Sequence, residues 1–241
     1  RLFVLSEFMR AQYKSVYGLP DELLHLTRNG VDLATVERAR AALPADAARN
    51  PLAMVYAARP ERGLDVLLAE VMPRVLEVEP NAKLFLASYH NHVDHLAEFY
   101  AHCKALADRM PKNVQYLGHL PKQALYTTLL SAGVYVYPVP SMIVPEFDEI
   151  SCIALMEAQA CGLPVVSSAR GALPETLAPA AGMLIGGKAH TAEYYDAFAE
   201  AVLRYMREPV ERSMASAAGL ECAAQLDWAG VAEDWERLFV G

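Results

Sequence analysis

Residues 149–166 read Glu149-Ile150-Ser151-Cys152-Ile153-Ala154-Leu155-Met156-Glu157-Ala158-Gln159-Ala160-Cys161-Gly162-Leu163-Pro164-Val165-Val166. Apolar residues flank Glu157 on every side, so the spacing predicts a buried helix over 150–161, then a strand over 164–167. A carboxylate inside such a helix is costly without a partner, so Glu157 is expected to be hydrogen-bonded. Just upstream, Val134-Tyr135-Val136-Tyr137-Pro138-Val139 reads as a buried strand in which both tyrosines pack. Strand, helix and strand in this order form a βαβ unit, which sets the two strands parallel in one sheet.

The same alternation extends in both directions. Short aliphatic and β-branched runs predict further strands at 2–5, 24–26, 52–57, 83–88, 114–117 and 182–185. Helical patterns lie at 7–16, 63–78, 93–108 and 122–131, and three more follow towards the C-terminus. No repeat and no low-complexity linker divides the chain. The expected architecture is therefore α/β: one domain, residues 1–241, with a doubly wound Rossmann-like parallel sheet and a helical C-terminal extension. Ligands of such sheets sit beyond the carboxyl ends of the strands, which singles out the segments after Ala57, Ser88, Leu117, Val139 and Ser167.

Composition narrows the function. A net charge of -8 and a pI near 5.4 argue against a nucleic-acid surface, which needs clustered Lys and Arg. The uncharged stretch 123–145 has the length of a membrane span, but Gly133, Pro138, Pro140 and Pro145 would break a spanning helix. Cys103, Cys152, Cys161 and Cys222 are widely spaced with no Cys-x-x-Cys pair, which reads as reduced, buried thiols in a cytoplasmic protein. The first residue is Arg1, already inside an apolar run, so the sequence reads as a fragment of a longer chain. Met9, Met54, Met72 and Met156 read as core filler.

Two segments carry groups suited to chemistry. Ala58-Arg59-Pro60-Glu61-Arg62-Gly63 places two guanidinium groups at a strand-to-helix turn, with the helix starting at Gly63. Free N–H donors at a helix start and the forked donors of Arg suit a diphosphate; the plainer alternative is surface arginines paired with Glu61 and Asp65. The second segment holds Glu149 and Glu157. If both lie on the helix, they stand about 80° apart around its axis and roughly 12 Å apart along it, within reach of one nucleotide-sized ligand. The alternative is a helix cap by Glu149 and a structural ion pair by Glu157.

These residues resemble the C-terminal, donor-binding domain of GT-B-fold retaining glycosyltransferases, the large group labelled family 4. Its signature is a Glu-x7-Glu pair, with the second Glu followed by Ala, a small-residue turn and a Gly-x-Pro-Val-Val strand. Glu149, Glu157, Ala158, Gly162 and Pro164-Val165-Val166 match it. Further correspondence comes from Ser6-Glu7, Asn29-Gly30-Val31-Asp32, Arg59 with Arg62-Gly63, Leu117-Gly118, Pro138, Pro174-Glu175, Asp227-Trp228 and Trp235, so the likeness spans essentially the whole chain. The resemblance implies one half of a GT-B enzyme that moves a sugar from a nucleotide-diphosphate sugar to an acceptor (glycan, lipid or protein), with no metal and no cofactor. It further implies that an N-terminal acceptor domain lies outside this chain and that the chain alone is inactive in transfer.

By the same resemblance Arg59 and Arg62 neutralise the diphosphate, Glu157 holds the ribose and Glu149 contacts the transferred sugar. Backbone N–H groups of Ile150, Ser151, Cys152 and Ile153 lie near the phosphates or sugar, and Gly118 and Leu120 line the base site. The sequence departs from the family pattern in three ways. Ile150-Ser151-Cys152 stands where a Gly-Phe-Gly-like stretch is usual, Arg62 stands where Lys is common, and the two basic residues are closer together than usual.

One competing motif is His90-Asn91-His92-Val93-Asp94-His95, a His-x-His-x-Asp-His pattern of the kind that binds zinc in metallo-β-lactamase-like hydrolases. Such sites need more ligands downstream, where only His102, His119 and His190 remain, and a Gly-rich continuation that Leu96-Ala97-Glu98-Phe99 does not supply. A zinc-dependent hydrolase and a GT-B-like domain that binds without turnover are the alternative readings.

Overall fold

The computed structural model describes residues 2–88 and 94–240. Six parallel strands form the central sheet: β3 (Asn50–Tyr56), β4 (Lys83–Leu86), β5 (Val114–Tyr116), β6 (Ala132–Tyr137), β7 (Val165–Ser168) and β8 (Gly182–Ile185). Their order is β5-β4-β3-β6-β7-β8. The chain steps outward from β3 to β5, then returns to β6 on the other side of β3. The order therefore reverses between β3 and β6, which is where an open α/β sheet forms its ligand crevice. Every residue of β6 and β7 is buried, as strands covered on both faces must be.

The helices, in chain order, are α1 (Glu7–Tyr17), α2 (Leu33–Ala41), α3 (Leu64–Val66), α4 (Met72–Val78), α5 (Ala97–Asp108), α6 (Lys122–Ser131), α7 (Ile153–Ala160), α8 (Leu173–Thr176), α9 (Ala192–Arg207), α10 (Pro209–Ala223) and α11 (Trp228–Val240). A π-helical segment, Leu67–Val71, joins α3 to α4 in one helical run. That run packs with α5 and α9, while α2 packs on α6 and α7 on α10. Arg49 ties the second group together: its half-buried guanidinium donates to the carbonyls of Leu129, Ala132 and Cys161 at the C-terminal ends of α6 and α7, where a cation is favoured.

All eight expected strands form, but β1 (Leu2–Val4) and β2 (Leu24–Leu26) pair with each other in a separate two-stranded parallel sheet. Contacts hold this unit to the main sheet. The Glu175 carboxylate accepts from the backbone N–H groups of Glu7 and Phe8, both at 2.7 Å, at the start of α1. Gly30 lies against Trp228, where a Cβ would come within 2.9 Å of Trp228 Cα, and Val31 bridges to Asp227. These are the Asn-Gly-Val-Asp, Pro-Glu and Asp-Trp motifs of the sequence, brought together.

Three expectations change. The helix anticipated from residue 150 begins at Ile153, after an extended Cys152, so Glu149 is not on it. Helix α2 was not anticipated: Glu37, Arg38 and Arg40 hide its short buried face of Thr35, Val36 and Ala39, although Asp32 caps it by accepting from Thr35 N at 2.8 Å. Among the cysteines, Cys103, Cys152 and Cys161 are buried and free, whereas Cys222 is half-buried; Met9 is half-buried too.

Burial pushes the Cys103 and Cys161 thiols up to about 12 from an ordinary 9.0, and the Tyr194 and Tyr205 phenols up to about 12 from 10.0. The folded protein keeps these groups neutral at pH values where an unfolded chain ionises them. Their contribution is whole below the unfolded values and is lost as pH rises through the folded ones. Thermal melts should thus give a flat midpoint from about pH 7 to 8.5 and a steady fall from about pH 9 to 11. A midpoint unchanged across that upper range would contradict this account of the core.

Candidate functional site at the strand-order reversal

β3 ends at Tyr56 and β6 at Tyr137, side by side at the reversal. After β3 the chain makes a single 3-10 turn, Pro60–Arg62, that presents Arg59 and Arg62. After β6 it runs from Pro138 to Glu149. Gly63 allows the two to touch: its φ is +99°, and a Cβ there would sit 1.9 Å from the Pro138 carbonyl oxygen. Buried Asp65 joins them again, its Oδ2 accepting from Ser141 Oγ at 3.0 Å and Met142 N at 2.9 Å. At the far end, Glu149 O accepts from Ala172 N at 2.7 Å, and Gly171 is pressed against the Glu149 backbone.

This scaffold holds the buried carboxylate of Glu149 between two donors. Its Oε2 accepts from Tyr137 Oη at 2.9 Å and from Arg62 Nη1 at 3.3 Å. The Arg62 guanidinium also lies 3.7 Å over the Phe147 ring, which orients it flat. Arg59 Nε meets Glu61 Oε1 at 3.0 Å, and buried Glu61 accepts from Tyr100 Oη at 3.0 Å. Each arginine is thus balanced by one carboxylate, so an entering anion would exchange partners with Glu149 or Glu61. Arg59, Arg62, Tyr137 and Glu149, together with Ser151, Cys152 and the first residues of α7, line a cavity of ≈ 210 Å³. The α7 N-terminus opens into it, and N–H groups at a helix start favour negative charge.

A second cavity of ≈ 290 Å³ adjoins the first and shares Ala57, Ile153 and Ala154 with it. His119, Leu120, Lys122 and Glu157 complete its polar end. Glu157 is 5% exposed, and its Oε1 takes bonds from Lys122 Nζ and, at 2.9 Å, from Tyr126 Oη. Asn29 Nδ2 reaches across from the β1–β2 unit to Ser151 Oγ at 2.9 Å, so the small sheet also touches the first cavity.

Residues 35–221 match the family model described as Glycosyl transferases group 1. The chain belongs to that family. It is 30% identical over 229 residues to the GDP-mannose-dependent monoacylated alpha-(1-6)-phosphatidylinositol monomannoside mannosyltransferase of Corynebacterium glutamicum, covering 90% of this chain and 56% of that protein. It is also 30% identical over 186 residues to the D-inositol 3-phosphate glycosyltransferase of Mycolicibacterium vanbaalenii, covering 72% and 39%. Among solved structures, sucrose-phosphate synthase from Thermosynechococcus elongatus superposes with a TM-score of 0.76 at 24% identity, over 98% of this chain and 57% of that one. Anabaena HepE, in complex with UDP and glucose, gives 0.75 at 14% identity, over 99% and 62%. These likenesses establish the GT-B type α/β fold. The chain spans about half the length of the first of these relatives.

In this group 1 glycosyl transferase chain the tertiary structure gathers Arg59, Arg62, Glu149, Ser151, Cys152 and Ile153 in the first cavity, with Leu120 and Glu157 in the second. Three expected site residues fall elsewhere. Gly118 lines a separate ≈ 590 Å³ cavity beside α5 and β5, Ile150 is 38% exposed and lines neither site cavity, and Gly63 lies behind the arginines as a packing position. Cys152 is not primed for reactivity, because burial pushes its thiol up and outweighs the helix start. Tyr137 both packs and reaches Glu149, and Phe147, Lys122 and Tyr126 join the site from positions that no local pattern marks. For the histidine motif, His90 and His92 lie outside the described residues, and Asp94 and His95 form part of a short 3-10 turn. Among the described residues no group of three or more His, Cys, Asp or Glu is placed to hold a metal ion.

Proposed function

We propose that this chain is the donor-binding half of a retaining glycosyltransferase that transfers a sugar from a nucleotide-diphosphate sugar to an acceptor without a metal. The observation that carries the reading is the pair of adjoining cavities at the reversal. One is ringed by two guanidinium groups and a helix start; the other ends on a buried carboxylate. Arg59 and Arg62 take the diphosphate, Glu149 the transferred sugar, and Glu157 the ribose, with the base towards Leu120. The C. glutamicum relative is named for a GDP-mannose donor and HepE was crystallised with UDP and glucose, which supports the donor class.

Bond cleavage between the sugar carbon and its phosphate oxygen builds negative charge on the leaving diphosphate. Prepositioned guanidinium groups and the N–H groups of α7 stabilise that charge most where it develops, which is the task a cation would otherwise perform. Retention follows if the acceptor oxygen bonds the same carbon from the leaving-group face while the departing phosphate takes the acceptor's proton. The acceptor half is a separate N-terminal domain. In support of it, the β1–β2 pair exposes Leu2 and Leu26, with Leu23 exposed in the turn just before β2, and a two-stranded parallel sheet does not cover its own apolar surface. No helix of the described residues is long and apolar enough to cross a membrane, and buried free thiols support a cytoplasmic setting.

The test is calorimetric titration of UDP, GDP and ADP into the chain and into Glu157→Gln. One diphosphate should bind preferentially and lose about tenfold in the variant, the scale of one hydrogen bond to a charged group. Gln keeps the shape of Glu157 and leaves Tyr126 an acceptor, so the melting midpoint should change little. Absence of binding by all three diphosphates would overturn the reading.

A further inference from the structure

Glu157 lies 5% exposed at the end of its cavity, but the ammonium placed on it comes from a side chain that is 60% exposed. Lys122 occupies the first position of α6 and Tyr126 the next turn, so the two stand on one helix face. Both donate to the same carboxylate oxygen, Oε1. An ionised carboxylate offers about four lone-pair positions, two on each oxygen. Two donors fill those of Oε1, and among the described residues none is bonded to Oε2. Tyr126 is buried and cannot turn to water, which keeps its hydroxyl on Oε1.

We propose that Lys122 and Tyr126 set how Glu157 reads a ribose, by loading Oε1 so that the sugar is held through Oε2 alone. This rests on the assignment of the cavity to the ribose of the donor. A free carboxylate can take both hydroxyls of a vicinal diol, one on each oxygen. With Oε1 loaded, a single ribose hydroxyl carries the contact and the other is dispensable. Lys122 and Tyr126 are positioning residues in this scheme, acting through Glu157.

The experiment compares UDP, GDP and ADP with their 2′-deoxy and 3′-deoxy forms by calorimetry, and reads ratios within each protein so that differences in overall affinity cancel. In the unaltered chain, one deoxy form should bind within about twofold of its parent and the other about tenfold more weakly, one hydrogen bond to a charged group being the difference. Lys122→Met opens a position on Oε1, the diol then spans both oxygens, and both deoxy forms should lose about tenfold. Tyr126→Phe should act the same way, and Lys122→Arg should restore the asymmetry. Equal loss for the two deoxy forms in the unaltered chain, loss for neither, or asymmetry persisting in both Lys122→Met and Tyr126→Phe would overturn the inference while leaving the donor-site reading standing. Failure of every diphosphate to bind would overturn both.

Discussion

Gly63→Ala should lower the melting midpoint by roughly 10 °C, because it combines a strained backbone with a backbone collision. The φ of +99° is one that L side chains rarely adopt, and the new Cβ would lie 1.9 Å from the carbonyl oxygen of Pro138. Neither partner yields cheaply: Pro138 follows the fully buried β6, and Gly63 leads into α3, whose three residues are buried. Strain and overpacking each cost about 1–3 kcal/mol, a large share of a typical folding stability. Gly118→Ala is the control. Gly118 also has positive φ, +69°, but nothing lies within 4 Å of its Cβ direction, so only the strain component applies and a loss of roughly 3 °C is expected. Equal losses at the two positions would show that the contact with Pro138 contributes nothing. The same substitution should loosen the site, since the contact at Gly63 sets the turn of Arg62 against the loop that ends in Glu149.

Arg62→Met should cost a nucleoside diphosphate about 10- to 100-fold in affinity and its monophosphate only a few-fold, as expected for a charge-assisted contact to the outer phosphate. Arg62 contributes in two ways at once. It donates to the buried carboxylate of Glu149 at 3.3 Å and stacks over Phe147 at 3.7 Å, so its fork is already oriented before a ligand arrives. Removing it leaves Glu149 with Tyr137 as its remaining side-chain donor among the described residues and an underbalanced charge in a closed setting. Arg62→Lys should recover little, because an ammonium cannot lie flat on the ring and donate in a fork together. Titration of UDP and UMP, with the corresponding guanosine and adenosine pairs, measures the difference. Parallel losses for mono- and diphosphates would remove Arg62 from the diphosphate and make it a structural partner of Glu149.

Local pattern in this chain was informative where burial is uniform. The strands were legible because those of a covered parallel sheet are near-continuous apolar runs, as in Val134 to Tyr137, and Gly162 with Pro164 marks the turn between α7 and β7. The start of α7 is not legible locally because Ile150, Cys152 and Ile153 share the apolar character of the helix, while what holds Glu149 outside the helix is the distant pair Gly171 and Ala172. The charged face of α2 hid that helix for the opposite reason. Asp32 and Thr35 formed a cap, but too few apolar positions repeated to give a period.

By itself, the sequence determined the α/β class, the strands whose carboxyl ends could meet a ligand and the residue types that meet an anion, since these depend on periodicity and on what a turn can present. Only the tertiary structure decided which charges pair. Arg62 reaches Glu149 across 87 residues and Lys122 reaches Glu157 across 35, and both arginines turn out to be balanced by carboxylates before any ligand binds. It also decided that β1 and β2 stand apart from the main sheet and that Gly118 and Leu120, two residues apart, face different cavities. The physical reason is that propensity and burial act over a few residues, whereas strand order and ion pairing are set by contacts that exist only once the whole sheet has closed.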